Sequence, residues 1–222
     1  LGTNLGRAPD HWATLCAWNP SGPKLQHVFG RQALPMVWDY CEANPFGGSV
    51  GDYASSILWN GCNAVVGASS VQMQSCHAAR GSAASLPVQT GSVQAAITDP
   101  PYYDAVPYSD LSDFFYVWEK RSLSTVHPDL FRTPLTPKAQ ELITYGANGG
   151  PKKQKPPEWY ESGMERSFAE MARSISSSGI SAVMFAHKTT TAWETIIGGL
   201  LGAGSLVTAS WPFHTEMKTR LR

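Results

Sequence analysis

Apolar positions along the chain follow two periods. Leu111, Phe114, Phe115 and Trp118 recur at i, i+3, i+4 and i+7, which predicts a helix over residues 109–121 with one apolar face. Tyr160, Met164, Phe168, Met171 and Ile175 mark a second helical face, stopped by Ser177-Ser178-Gly179. Trp193, Ile196, Ile197, Leu200 and Leu201 mark a third over residues 190–201, ended by Gly202-Ala203-Gly204. Short apolar runs at 93–97, 180–186 and 206–211 predict strands, the first two apolar enough to be buried. Helix, glycine stop, strand, helix, glycine stop, strand is the order of a parallel α/β sheet.

The first part of the chain is less regular. Residues 1–30 are rich in Gly, Pro and Asn and read as irregular, with Arg31 and Gln32 beyond them able to meet a phosphate or a base, or simply to be solvated. Leu34, Val37, Trp38 and Cys41 suggest a helix over 35–43 that ends in a Pro- and Gly-rich turn, Asn44-Pro45-Phe46-Gly47-Gly48. A second helix over 53–67 is weakened by Gly61, Gly67 and the Val65-Val66 pair, and residues 71–76 suit a short strand. Residues 123–157 form a proline-rich insertion carrying Lys152, Lys153 and Lys155, either a DNA-contacting or lid loop or a solvated one. The expected organisation is one domain over 1–222, irregular and helical over 1–67 and α/β over 68–222.

Bulk properties narrow the function. The chain has 222 residues, 42% hydrophobic and 15% charged, enough for one α/β core. No apolar run approaches the roughly 20 residues of a spanning helix and no signal-peptide pattern opens the chain, so a cytoplasmic protein without membrane contact is expected. Seventeen basic residues balance seventeen acidic ones, so any nucleic-acid contact must use a local patch. Cys16, Cys41, Cys62 and Cys76 form no Cys-x-x-Cys pair and read as reduced thiols. No metal site is expected; His214 and Glu216 lack further ligands nearby.

The chemistry concentrates where the 93–97 run meets Asp99-Pro100-Pro101-Tyr102. Parallel sheets bind ligands at the carboxyl ends of their strands, and this tetrapeptide falls at such an end. The prolines stiffen the backbone and leave its carbonyls free to accept. A plain strand-ending turn is the alternative. Tyr103, Asp104 and Tyr108 follow and can line a pocket; His187 and Lys188 lie just past the 180–186 strand, placed for a substrate or phosphate contact or for capping the next helix.

Asp99-Pro100-Pro101-Tyr102 resembles the motif of amino-group methyltransferases that use S-adenosylmethionine. Residues 98–121 around it, with Asn19-Pro20-Ser21-Gly22, Phe29-Gly30-Arg31-Gln32-Ala33-Leu34-Pro35-Met36, Asn44-Pro45-Phe46, Phe185-Ala186-His187-Lys188-Thr189-Thr190 and His214-Thr215-Glu216-Met217, resemble in order the blocks of the adenine-specific DNA methylase family described as containing a zinc ribbon. No zinc ribbon is visible in this chain. The resemblance implies a Rossmann-like methyltransferase fold with a mostly parallel sheet. It implies Asp99, Pro100, Pro101 and Tyr102 as catalytic residues acting on the N6 amine of a flipped-out adenine in DNA. It also implies a cofactor contact at Gly81, Ser82 and Asp99, where Ser82 stands in place of the family's acidic residue. A restriction or defence partner is a further expectation. The family's glycine-rich cofactor loop is expected upstream of Leu1, so the chain reads as the C-terminal part of a longer protein with its sheet incomplete; residues 44–51 are a less suitable substitute, since helical spacing precedes them. Cytosine-N4 methylation, and an inactive nucleic-acid-binding remnant, are the alternatives.

Overall fold

The computed structural model describes residues 2–20, 24–30, 33–48, 58–69, 76–104, 106–144 and 155–212. The chain is mixed α/β and divides into two compact units, Leu1–Ala78 with Val106–Glu141, and Ala79–Ala105 with Leu142–Arg222.

In the first unit, the described residues among 2–30 are more regular than their composition suggests. They form helices α1 (Gly2–Arg7) and α2 (Pro9–Trp12), then an antiparallel pair β1 (Trp18–Asn19) and β2 (Lys24–Leu25). Pro9 starts α2 where its missing N–H costs nothing. Helix α3 (Trp59–Ser69) is the helix expected over 53–67, shifted towards the C-terminus; residues 53–57, and 71–75 of the expected strand, lie outside the described residues. The helix expected over 35–43 is not formed: Met36 and Trp38 are over four-fifths exposed, and a short apolar pattern with nothing to pack on does not hold a helix.

Helix α4 (Tyr108–Leu123) matches the predicted 109–121 element, but its deepest burial is on a different flank. Leu111, Phe114 and Phe115 are half-buried and Trp118 is exposed, whereas Ser109 and Tyr116 are buried. Phe29 covers part of the predicted face, edge-on to Phe114 at 5.4 Å. The other flank is covered by the segment after α4, which is strapped down by polar bonds. The Tyr116 hydroxyl donates to the Thr133 carbonyl at 2.8 Å, and Glu141 accepts from the Ser109 N–H at 2.8 Å. Asp113 accepts from the Thr136 N–H at 2.9 Å and from Lys138 Nζ at 2.6 Å. Partial burial alone would raise the Asp113 carboxyl, but the bonds from Lys138 and Thr136 hold it below its ordinary value.

In the second unit, β3 (Val93–Thr98) and β4 (Ile175–Val183) pair in parallel, as the predicted order requires. Their register runs Ala95 to Ile180, Ala96 to Ser181, Ile97 to Ala182 and Thr98 to Val183. Helix α5 (Pro157–Ser174) buries Tyr160, Met164, Phe168 and Met171, and α6 (Thr190–Gly202) adds Ile196; Ala96, Ile175, Val183 and Phe185 pack against this cluster. Each such side chain contributes about 1.5–3 kcal/mol on burial. Pro157 and Glu158 suit the first turn of α5 and Arg173 its last. Helix α6 is capped by the Thr189 hydroxyl, which accepts from the Ala192 N–H. It ends in a Schellman turn, with Gly204 at φ +78° and the Ser205 N–H bonded to the Leu200 carbonyl.

Three predictions fail in this unit. Ser177-Ser178-Gly179 does not stop a helix but lies inside β4, in an irregularity where β4 runs from Ile175 to Ile180 while β3 advances only from Val93 to Ala95. Gly179 is required by close approach of backbone, since a Cβ there would stand 2.9 Å from the Gln94 carbonyl oxygen. Residues 206–211 form no strand and are exposed, with no strand beside them among the described residues. The strands expected to be buried are covered on one face only, leaving Ile97 76% and Ile180 71% exposed.

Residues 86–91 are clipped to the end of α5 by charge-assisted bonds. Glu170 accepts from the Leu86 N–H at 2.8 Å and from Arg173, whose guanidinium also donates to the Val88 carbonyl at 3.0 Å and to Thr90 Oγ1 at 2.9 Å. The Arg173 bond, then the Leu86 N–H, lowers the Glu170 carboxyl from 4.5 to about 2. No membrane-spanning helix, long and apolar enough, occurs among the described residues.

Two predictions follow from this packing. Gly179→Ala is expected to destabilise the chain by about 1–3 kcal/mol, because the rigid β3 carbonyl must move, read as a lower urea midpoint. Glu170→Gln is expected to be less stable than wild type at neutral pH. A lowered folded pKa adds stability above the unfolded value and loses it as pH falls, so the gap should be full above pH 4.5 and close towards pH 2 in urea titrations across that range.

Candidate active-site tip of the parallel strands

Both strands of the second unit end on the same side, and the segments after them carry the motif residues. The ladder continues one step past β4, where the Met184 N–H donates to the Thr98 carbonyl at 2.9 Å. From there Asp99-Pro100-Pro101-Tyr102 leaves β3, and Phe185-Ala186-His187 leaves β4.

The tip is fixed by its carbonyls. Pro101 O accepts from the Tyr103 N–H at 3.0 Å and from the Tyr160 hydroxyl at 2.7 Å. Tyr160 is fully buried at the start of α5, so the core holds the tip directly. Tyr103 turns into the left-handed region at φ +46°, where non-glycine residues are uncommon, and its carbonyl accepts from the Thr144 N–H at 3.0 Å. Burial, then the charges of Glu161, Asp104 and Glu158, push the Tyr103 phenol above its ordinary value, so it stays neutral and able to donate.

With Pro101 occupied, its neighbours differ in exposure: Asp99 faces solvent and Pro100 is buried. Asp99 is exposed and its carboxylate has no partner among the described residues; the Pro100 carbonyl likewise accepts from none of them. Tyr102 stands edge-on to Phe185 at 5.5 Å, and Phe185 edge-on to Trp193 at 5.1 Å. Tyr103 meets Tyr160 at 5.0 Å and His187 at 5.9 Å. The tip is therefore two acceptors beside a wall of rings.

His187 is locked into that wall. Its side chain is 8% exposed, and Nε2 lies 3.0 Å from Asp104 Oδ1. Nδ1 lies 3.1 Å from the Thr189 N–H, which can only donate, so Nδ1 is the acceptor and neutral His187 carries its proton on Nε2, towards Asp104. The Trp193 indole N–H donates to the His187 carbonyl at 3.1 Å.

The structure thus brings Asp99, Pro100, Pro101, Tyr102, Tyr103 and His187 together at one strand end. His187 spends both ring nitrogens inside the unit, which makes it a positioning residue rather than an open contact. Lys188, next to it, is exposed and without a partner among the described residues. Tyr108 belongs to the first unit, as the first residue of α4. Gly81 and Ser82 open a tight turn: the Ser85 N–H donates to the Ser82 carbonyl at 3.0 Å and the Ala84 N–H to Ser82 Oγ at 3.3 Å. A Cβ at Gly81 would meet nothing within 4 Å, and the Ser82 hydroxyl accepts inside its own turn. Asn44 to Gly48 is also a turn, closed by the Asn44 side chain on the Phe46 N–H, and residues 49–51 lie outside the described residues, as do Arg31, Gln32, Lys152, Lys153, His214 and Glu216.

Phe185, Trp193 and Tyr160 were not foreseen at the tip. Trp193 and Tyr160 keep helical spacing and count as core by pattern; their polar atoms, which need acceptors when buried, are the signal that distinguishes them.

No protein-family model, curated protein or solved structure matches the chain in three separate comparisons.

Tyr160→Phe keeps the ring and removes one of two donors to Pro101 O. The expected cost is about 1 kcal/mol in urea denaturation, with a larger loss of any activity of the tip. A variant with unchanged activity and lowered stability would detach Tyr160 from the site.

Proposed function

We propose that the chain carries the amine-binding catalytic tip of a DNA adenine-N6 methyltransferase of Rossmann-like fold, with S-adenosylmethionine as the methyl donor. The observation that carries this reading is the exposed Asp99 carboxylate beside the Pro100 carbonyl, which belongs to a buried residue and accepts from none of the described residues, on a backbone stiffened by two prolines at the carboxyl end of a parallel strand.

An exocyclic amine conjugated with its ring is a poor nucleophile, because the nitrogen lone pair is delocalised. It offers two N–H donors. Accepting one on Asp99 and the other on Pro100 orients the nitrogen, draws its lone pair out of conjugation and disperses the positive charge that grows on it. Tyr102, beside Phe185, offers a face on which a base turned out of the duplex stacks, at about 1–3 kcal/mol. Preorganisation supports the same reading: the Tyr160 and Tyr103 bonds to Pro101 hold the acceptors before any substrate arrives. The reading rests on the amine side of the reaction; Gly81 and Ser82, in an exposed turn, would hold the donor's adenine end.

Methyl transfer from labelled S-adenosylmethionine to mixed-sequence DNA, followed by nucleoside analysis, tests this. N6-methyladenine is the expected product. Asp99→Ala is expected to lower transfer on the order of 100-fold or more while leaving the urea midpoint unchanged, because Asp99 is exposed and unpartnered. N4-methylcytosine in place of N6-methyladenine would change the substrate. DNA binding without transfer would establish a binding protein instead.

A further inference from the structure

We propose that Asp10, His11 and His27, in the first unit, form a site for a zinc-class divalent transition-metal ion. Asp10 and His11 are adjacent in α2, and His27 follows β2, so the site closes the loop that contains the β1–β2 pair. One donor atom from each residue lies within 4.8 Å of the others.

The carboxylate is aimed. Asp10 Oδ1 accepts from the Val28 N–H at 3.1 Å, which turns Oδ2 towards His27 Nδ1, 2.6 Å away. The Asp10 carbonyl accepts from the same N–H at 3.2 Å and from Cys16 Sγ at 3.3 Å. Val28 and Cys16 are fully buried, with Ala8 and Leu25 beside them among the buried residues, so the backbone bearing Asp10 is tied to a small core of its own. The two imidazoles stand with centroids 4.7 Å apart and planes at 56°.

An aspartate–histidine hydrogen bond accounts for two of these residues but not for the third. Two imidazoles beside a single free carboxylate oxygen compete for it; a cation bound by all three satisfies both rings and the carboxylate at once. Two imidazole nitrogens and a carboxylate are borderline donors, suited to Zn(II), Co(II) or Fe(II) rather than Mg(II) or Ca(II), and three ligands leave a position open for water or a fourth group. With metal–donor distances of about 2.0–2.2 Å, donors in a tetrahedral site stand about 3.3 Å apart. His27, whose side chain is 62% exposed, can make that adjustment by turning about its χ angles. The ion would pin α2 to the segment after β2.

The test uses the full chain, stripped with chelator and then titrated with Zn(II) by calorimetry and with Co(II) by visible absorption. One ion per chain, a Zn(II)-dependent rise in melting temperature and no response to Mg(II) are expected. His11→Gln and His27→Gln should each weaken binding about tenfold or more with an unchanged circular dichroism spectrum, since neither side chain lies in the core. Replacing the exposed Cys62 and Cys76 with Ser should leave binding intact. Absence of stoichiometric binding by the wild-type chain, binding that survives both histidine variants, or binding lost with the two cysteines would each overturn the site.

Discussion

The hydrogen bond from Tyr160 to the Pro101 carbonyl is the contact on which the second unit's surface chemistry depends. Its donor is fully buried in the cluster that holds α5 to the strands, and its acceptor is two residues from Asp99. A proline-rich segment cannot anchor itself through N–H groups, so its position must be set through its carbonyls, and the core supplies the donor. The same bond settles which acceptors are already used: Pro101 O accepts from Tyr160 and Tyr103, whereas the buried Pro100 carbonyl and the exposed Asp99 carboxylate accept from none of the described residues.

Each unit combines a modest apolar core with polar straps. In the second, five buried side chains carry the core, and Glu170 and Arg173 fasten residues 86–91, giving β3 its entry point. In the first, Asp113, Glu141 and Tyr116 hold the segment after α4 against that helix. The straps of the first unit are part-buried and costly to break from one side only, whereas the Arg173 bonds to Val88 and Thr90 are exposed and weakened by solvent.

Much of the second unit was legible in the sequence. The spacing of Tyr160, Met164, Phe168 and Met171 locates α5, and the apolar run ending at Asp99 locates both β3 and the tip. What escaped was set by contacts that spacing does not encode. Gly179 looks like a helix terminator but is a glycine of close approach, dictated by the Gln94 carbonyl from a strand far away in sequence. Leu206 to Trp211 has the composition of a strand and no partner to pair with among the described residues. Leu34, Val37, Trp38 and Cys41 keep a helical period without a surface to bury it. Asp10, His11 and His27 escaped because the β1–β2 turn, not a short spacing, brings them together. His187 was placed at the right edge, but only the geometry of Thr189 and Asp104 reveals that its nitrogens face inward.

The ring wall at the tip also makes this region optically distinctive. Tyr102, Phe185 and Trp193 form one run of edge-on contacts and Tyr103 with Tyr160 another, at 5.0 to 5.5 Å; His187 links the two runs, and the Trp193 indole is fixed by a hydrogen bond to the backbone. Aromatic chromophores held asymmetrically at such distances couple, and their near-ultraviolet dichroism vanishes when side-chain packing loosens even if helices and strands persist. The first unit has ring contacts of its own, among Phe29, Phe114 and Phe115, so loosening the tip alone removes one part of the near-ultraviolet signal and leaves another.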